Sequence, residues 1–207
     1  MIIRVHIVGP LQENTYIVGC EETKECVIID PGAEAKKIID DIKSQKLIVK
    51  YIINTHGHFD HTSAIMEIKN ASGALYAIHP KDEYLLNSSD NPGRSMIADF
   101  QDPPDPDFYL NDGDVLNVGS VNLTVLSTGG HTPGSICFYT NGFLFTGDTL
   151  FKGSIGRYDF PGGDGYLLIQ NIKTRLLTLP DDTYVLPGHG PKSTIREEKY
   201  LNPFLSE

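Results

Sequence analysis

The sequence predicts a mixed α/β fold of the α+β kind, and three observations carry that reading. Short apolar runs of strand length alternate with longer segments whose apolar residues recur at helical spacing. The strand-like runs are rich in Val and Ile and stop at Gly, Pro or Asp. Five of the seven histidines stand just past the ends of such runs, so strand ends carry the chemistry. A chain of 207 residues can bury a full core, and residues 1–207 are expected to form a single domain.

The elements follow in order. Residues 2–8 alternate and then meet Gly9-Pro10, a strand closed by a turn. Residues 15–20 and 26–29 continue an antiparallel meander around the charged turn Glu21-Glu22-Thr23-Lys24-Glu25. The third strand runs into Asp30-Pro31-Gly32. Asp30 reads either as a group that orients a ligand histidine or as an ordinary turn aspartate. Helical spacing returns over residues 33–45, with Ala35, Ile38, Ile39 and Ile42 on one face. Residues 47–54 are the next strand. A helix around 62–71 stops at Gly73, and a strand at 75–78 and a helical run at 81–86 follow. His6 and His79 stand alone and read as structural. Prolines 92, 103, 104 and 106 interrupt residues 88–111, a segment read as a flap beside the site. Strands at 115–118 and 121–126 are split by Gly119-Ser120, and those at 136–140 and 143–146 form a hairpin about Asn141-Gly142. A helical run carries Leu167, Leu168, Ile172, Leu176 and Leu179. Residues 184–186 are the last strand, and 193–205 a short charged helix.

The candidate chemistry begins at Thr55-His56-Gly57-His58-Phe59-Asp60-His61, on a tight turn from strand to helix. In an H-x-H pattern His56 and His58 can both face one ion, while Asp60 and His61 point elsewhere and can serve a second. Neutral imidazole and carboxylate suit zinc, iron or manganese. His131, behind Gly129-Gly130 on a loop leaving a strand, is the third ligand for the first ion, and Thr132 and Ser135 are expected to hold that loop through hydroxyl–backbone bonds. His189, in Pro187-Gly188-His189-Gly190-Pro191, joins Asp60 and His61. Arg157 lies in a glycine-flanked loop. It is either an anion binder for substrate or a staple to Asp159 or Asp164.

Taken together, His-x-His-x-Asp-His, Gly129-Gly130-His131-Thr132-Pro133-Gly134-Ser135, Thr146-Gly147-Asp148-Thr149-Leu150-Phe151 and Pro187-Gly188-His189-Gly190-Pro191 resemble the metallo-β-lactamase superfamily over nearly the whole chain, and its short glyoxalase II-like branch in particular. The resemblance implies a four-layer αββα sandwich with two divalent metal ions at one edge, zinc first and iron or manganese as alternatives. It implies that Asp148 bridges the two ions, that Asp60 and Asp148 are the carboxylates of the catalytic centre, and that Asp30 orients a ligand histidine. The implied reaction is hydrolysis of a thioester such as S-lactoylglutathione, or a related hydroxyacyl thioester, by a metal-bridging hydroxide. True β-lactamases of the superfamily typically carry cysteine at the corresponding second-metal position, so Asp148 argues against that branch. Full-length glyoxalase II enzymes carry a C-terminal helical domain that contributes to glutathione binding, and this chain ends soon after His189. The family's aromatic residue two places past the loop cation is Asp159 here, and its tyrosine two places past the last histidine is Pro191. The thiol carrier is therefore left open. Two alternatives stand beside this reading: a one-iron persulfide dioxygenase of the same superfamily, whose loop also holds a Gly-Arg-x-Asp-Phe run, and a non-catalytic metal-binding domain.

Composition narrows the partners. A net charge of -10 disfavours nucleic acid, which needs a basic face. The start of the chain is too short and polar for a signal peptide, and no run approaches a membrane span. Three cysteines without framework spacing, Cys20, Cys26 and Cys137, fit reduced thiols and a cytoplasmic setting. A small-molecule substrate is expected, and the oligomeric state has no signature in the sequence.

Overall fold

A computed structural model describes residues 1–88, 91 and 101–205. Its first sheet runs in chain order: β1 (Ile2–Val8), β2 (Glu13–Gly19), β3 (Glu25–Ile29), β4 (Ile48–Ile53), β5 (Leu75–Ile78) and β6 (Phe108–Tyr109). The first three strands are antiparallel, and β4, β5 and β6 run parallel to β3. Parallel neighbours need a crossover. Helices α1 (Ala35–Ser44) and α2 (Ile65–Ser72) supply it for β3–β4 and β4–β5. Near the β5 end lies the short helix α3 (Glu83–Leu86).

The second sheet contains β7 (Val115–Val118), β8 (Val121–Ser127), β9 (Ile136–Thr140) and β10 (Phe143–Gly147). The ribbon β11 (Leu150–Phe151) and β12 (Ser154–Ile155) stands apart from it. Helix α4 (Gly165–Asn171), β13 (Tyr184–Pro187), β14 (Ser193–Thr194) and α5 (Ile195–Leu201) complete the chain. The sheet order is β14-β13-β10-β9-β8-β7, with β13 parallel to β10.

Alternation along the strands builds the four layers. Cys26 and Ile28 face α1 and α2, while Val27 and Ile29 face the second sheet. In the second sheet, Phe138 and Phe145 point to the first sheet, whereas Cys137, Leu144 and Val185 point to Leu168, Ile172, Leu176 and Ile195 on the outer helices. Tyr16 and Phe145 meet edge to face across the sheets, 5.1 Å between centroids. Each fully buried Phe or Ile contributes about 1.5–3 kcal/mol. The result is an αββα sandwich.

Topology then sets the site. β8, β10 and β13 point the same way, because two successive antiparallel pairings restore direction and β13 is parallel to β10. Their C-terminal ends share one edge with those of β3 and β4. Several boundaries differ from the sequence reading. β2 begins at Glu13, since that residue is buried. A single 3₁₀ turn, Phe59–His61, precedes α2, so the helix starts at Ile65. The helical run at 167–179 begins at Gly165 and widens into a π turn at Ile172–Leu176. The tail pairs as β14 before α5, where Thr194 and Glu197 form a capping box. Of the expected flap, residues 89–90 and 92–100 lie outside the described residues. Among the described residues of that segment, Phe108–Tyr109 adds a strand to the first sheet.

Candidate metal centre

The segment after β4 bends at Thr55 and His56 and enters the 3₁₀ turn at Phe59. Side-chain oxygens from three separate elements accept the odd-numbered amides. Thr55 N donates to Asp30 Oδ1 at 2.7 Å, Gly57 N to Asp82 Oδ2 at 3.0 Å, and Phe59 N to Asn91 Oδ1 at 3.1 Å. The even residues, His56, His58 and Asp60, carry the expected ligands.

Two trios result. The ligand atoms of His56, His58 and His131 lie within 4.8 Å of one another, as do those of Asp60, His61 and His189. His131 Nε2 is 3.0 Å from His58 Nδ1. His189 Nε2 is 3.2 Å from Asp60 Oδ2. Asp148 stands between the trios. Its Oδ1 faces His61 Nε2 at 3.4 Å and His189 Nε2 at 3.7 Å, and its Oδ2 faces His131 Nε2 at 3.8 Å.

The outer ring nitrogens of His56, His131 and His189 are held by oxygens, which aims the inner nitrogens at the centre. His131 Nδ1 pairs with the Arg157 carbonyl at 2.7 Å, and His189 Nδ1 with the Leu11 carbonyl at 3.0 Å. His56 Nδ1 contacts Thr55 Oγ1 at 3.1 Å, and His61 Nδ1 faces Asp30 Oδ2 at 3.1 Å. Asp30 also forms a third close group with His56 and His61. Its oxygens already accept Thr55 N, Thr55 Oγ1 and Asn54 Nδ2. Its backbone is left-handed, φ 51°, an uncommon conformation for a residue with a side chain.

A cation fits this donor set. His56 Nε2, His61 Nε2 and Asp148 Oδ1 are buried without a hydrogen-bond partner, a cost that coordination would remove. Burial, then the charge of His61 and His58, pushes His56 well down, and burial followed by His131 brings His58 to about 3. Both rings stay neutral, the form that offers a lone pair. The other trio is acid-rich. Burial works against charge on His61 and His189, but Asp60 and Asp148 outweigh it and raise both histidines. Burial alone would raise Asp148, yet the facing histidines hold it well below the usual carboxylate range.

The Arg157 side chain takes the staple geometry. It grips Asp159 with two bonds of 2.9 Å and lies over the Phe160 ring, 3.9 Å from its centroid. Phe160 in turn meets His58 edge to face at 5.8 Å. The hydroxyl bonds of the His131 loop are partly as expected. Ser135 Oγ accepts from Thr132 N, but the Thr132 hydroxyl donates to Asp82 rather than to backbone. His6 pairs with Asp41, and His79 caps the turn before α3.

Three buried groups had no sequence signal: Glu13, Asp82 and Asn91. Each sits in an irregular or mixed stretch where no periodicity marks it. Glu13 lies behind His61, 3.9 Å from Nδ1, and accepts from Thr15 Oγ1.

An αββα sandwich with histidine and aspartate trios at one edge defines a metal-binding protein of the metallohydrolase kind. The chain belongs to the metallo-β-lactamase superfamily, whose family model matches residues 8–189. It is 39% identical over 210 residues to the hydroxyacylglutathione hydrolase GloC of Haemophilus influenzae, spanning 100% of this chain and 99% of that one. Among solved structures it resembles BLEG-1, a B3 metallo-β-lactamase, at TM-score 0.93 and 35% identity over 100% of both chains. TTHA1623 in a di-iron-bound form follows at TM-score 0.88 and 40% identity, covering 98% of this chain and 100% of that one. ETHE1 from Myxococcus xanthus matches at TM-score 0.78 and 30% identity, with 98% of this chain and 84% of that one covered. No helix of the described residues is long and apolar enough to cross a membrane.

Proposed function

We propose that the chain is a dinuclear metal-dependent hydrolase of a small thioester, S-lactoylglutathione or a related hydroxyacyl thioester. In this reading His56, His58 and His131 hold one ion, Asp60, His61 and His189 hold the other, and Asp148 is shared. The placement of Asp148, one oxygen towards each trio, carries the reading. Bound there, a pair of divalent ions supplies Lewis-acid polarisation and an activated water at neutral pH.

The chain's own residues do the rest. Asp60 and Asp148, both held below the usual carboxylate range by the facing histidines despite burial, stay ionised in the working range. The Arg157 and Leu11 carbonyls fix His131 and His189, and Asp30 faces His61. Phe160 beside His58 and Phe151 beside His189 wall the two sides of the centre. In this reading Arg157, exposed and paired with Asp159, exchanges that partner for a substrate carboxylate. A thiolate leaves readily, so no strong protein acid is required. Zinc is the expected metal, and the di-iron relative makes iron the next to test. The likeness to GloC supports the hydroxyacyl thioester class.

The experiment is hydrolysis of S-lactoylglutathione by protein of known metal content, with His131→Ala as control. The expected result is turnover that falls about 100-fold or more in the variant, together with loss of one metal. No turnover with two metals bound would reject glutathione as the carrier. The second reading, a one-iron persulfide dioxygenase, draws on the Gly156-Arg157-Tyr158-Asp159-Phe160 loop and the likeness to ETHE1. It leaves Asp60, His61 and His189 without a role as ligands, and oxygen uptake with a persulfide tests it.

A further inference from the structure

Asp82 is a buried carboxylate that touches no metal-facing atom, yet it ties together both loops that supply the three-histidine trio. Its Oδ2 accepts from Gly57 N at 3.0 Å, between His56 and His58, and from the Thr132 hydroxyl at 2.6 Å, next to His131. Its Oδ1 accepts from Gly134 N at 2.6 Å. All three partners are donors, so an ionised carboxylate with two accepting oxygens is the group that satisfies them. Burial pushes Asp82 up, and these three donors pull against it.

Asn91 completes the frame. Its Oδ1 accepts from Phe59 N, while its Nδ2 donates to the carbonyls of Gly57 and Leu85, each at 2.9 Å. Gly57 is therefore held by both its amide and its carbonyl. A Cβ at Gly57 would lie 2.8 Å from the Asp82 carbonyl and 2.9 Å from Leu85 Cβ, so the loop is packed directly onto the turn that carries Asp82. Asp30 plays the matching part on the other side, through Thr55 and His61.

We propose that Asp82, braced by Asn91, is the positioning residue of the three-histidine metal position, and that its control is confined to that position. Two loops from different sheets must meet to make this trio, and Asp82 is the side chain bonded to both. The Asp60, His61 and His189 trio has its own supports in Asp30 and the Leu11 carbonyl, and does not depend on Asp82. The inference rests on the metal-centre reading and not on which substrate is cleaved.

The test is zinc affinity in the full chain, stripped of metal and titrated calorimetrically. Asp82→Asn is made in two single-position backgrounds: His189→Ala, which leaves the three-histidine trio intact, and His131→Ala, which leaves Asp60, His61 and His189. Asparagine keeps the size but sets an NH2 donor against one of three donors. Zinc is expected to bind about 10–100-fold more weakly in the His189→Ala background and with unchanged affinity in the His131→Ala background. Thr132→Val removes a single donor, and should produce a smaller loss in the same background only, which serves if Asp82→Asn does not fold. Equal losses in both backgrounds, or no loss in either, would overturn the proposal. Failure of the wild-type chain to bind zinc or iron at all would overturn the metal-centre reading, and the proposal with it.

Discussion

Gly188→Ala adds one methyl group at the point where β13 delivers His189. The backbone there cannot retreat. Gly188 N donates to the Gly147 carbonyl at 2.8 Å, and the Gly188 carbonyl accepts from Asn14 N at 2.7 Å. A Cβ would stand 2.5 Å from Asp148 Oδ1 and 2.7 Å from His61 Cε1, where ordinary contact begins at 3.4 Å. The shortfall of about 0.9 Å must be absorbed by two expected ligands, one of them the shared carboxylate. Overpacking of this kind costs about 1–3 kcal/mol, and a displacement near 1 Å at a reacting centre costs about 100-fold in rate. The metal-free variant should melt only a few degrees lower, whereas its metal content after dialysis should fall and turnover should drop by about two orders of magnitude. Elemental analysis, steady-state kinetics and thermal melting followed by circular dichroism read the three quantities. An alanine variant with full metal content and wild-type turnover would refute the close approach of Gly188 to both ligands.

Two further outcomes are expected. Arg157→Ala should raise KM about tenfold for a thioester with a carboxylate on its carrier, leave kcat nearly unchanged, and leave a neutral thioester unaffected; a KM that does not move would leave Arg157 as a loop staple only. Asp41 accepts from Arg4 at 2.6 and 2.8 Å and pairs with His6 at 2.8 Å. Burial raises its pKa, but these partners outweigh burial and hold it below the usual value. A depressed carboxylate contributes stability that is complete above its unfolded pKa of about 3.9 and is lost as pH falls through the lower folded value. Metal-free Asp41→Asn should therefore melt below the wild type at pH 7, and the gap should close as the pH falls through and below the usual carboxylate range; a gap that widens in acid would contradict the sign.

The parts of the site that were legible in the sequence are those tied to periodicity. His56, His131 and His189 each follow an apolar run, and an apolar run of strand length announces where it ends. The H-x-H spacing shows two imidazoles within reach of one ion in the letters themselves. The supports are tertiary. Asp82 lies in a short helical turn and Asn91 in a proline-broken stretch, so neither neighbourhood shows that both reach the loop at Gly57 and Phe59. Glu13 reads as a polar residue before a strand until β2 pairs along its whole length and buries it. Asp30 was legible only as a choice between two roles, because its approach to His61 and its left-handed backbone are not carried by hydrophobic spacing. Helix and strand boundaries moved by a few residues where 3₁₀, π and edge-strand geometry replaced regular turns. These are local compromises made by packing, and hydrophobic spacing does not encode them.

The central claim is that two metal positions share Asp148. The direct measurement is the metal stoichiometry of the purified chain and of Asp148→Asn, read by elemental analysis alongside oxygen uptake with a persulfide. Two metals per wild-type chain, fewer than two in the variant, and no oxygen uptake are expected. A single iron per chain, with oxygen consumed, would contradict the claim.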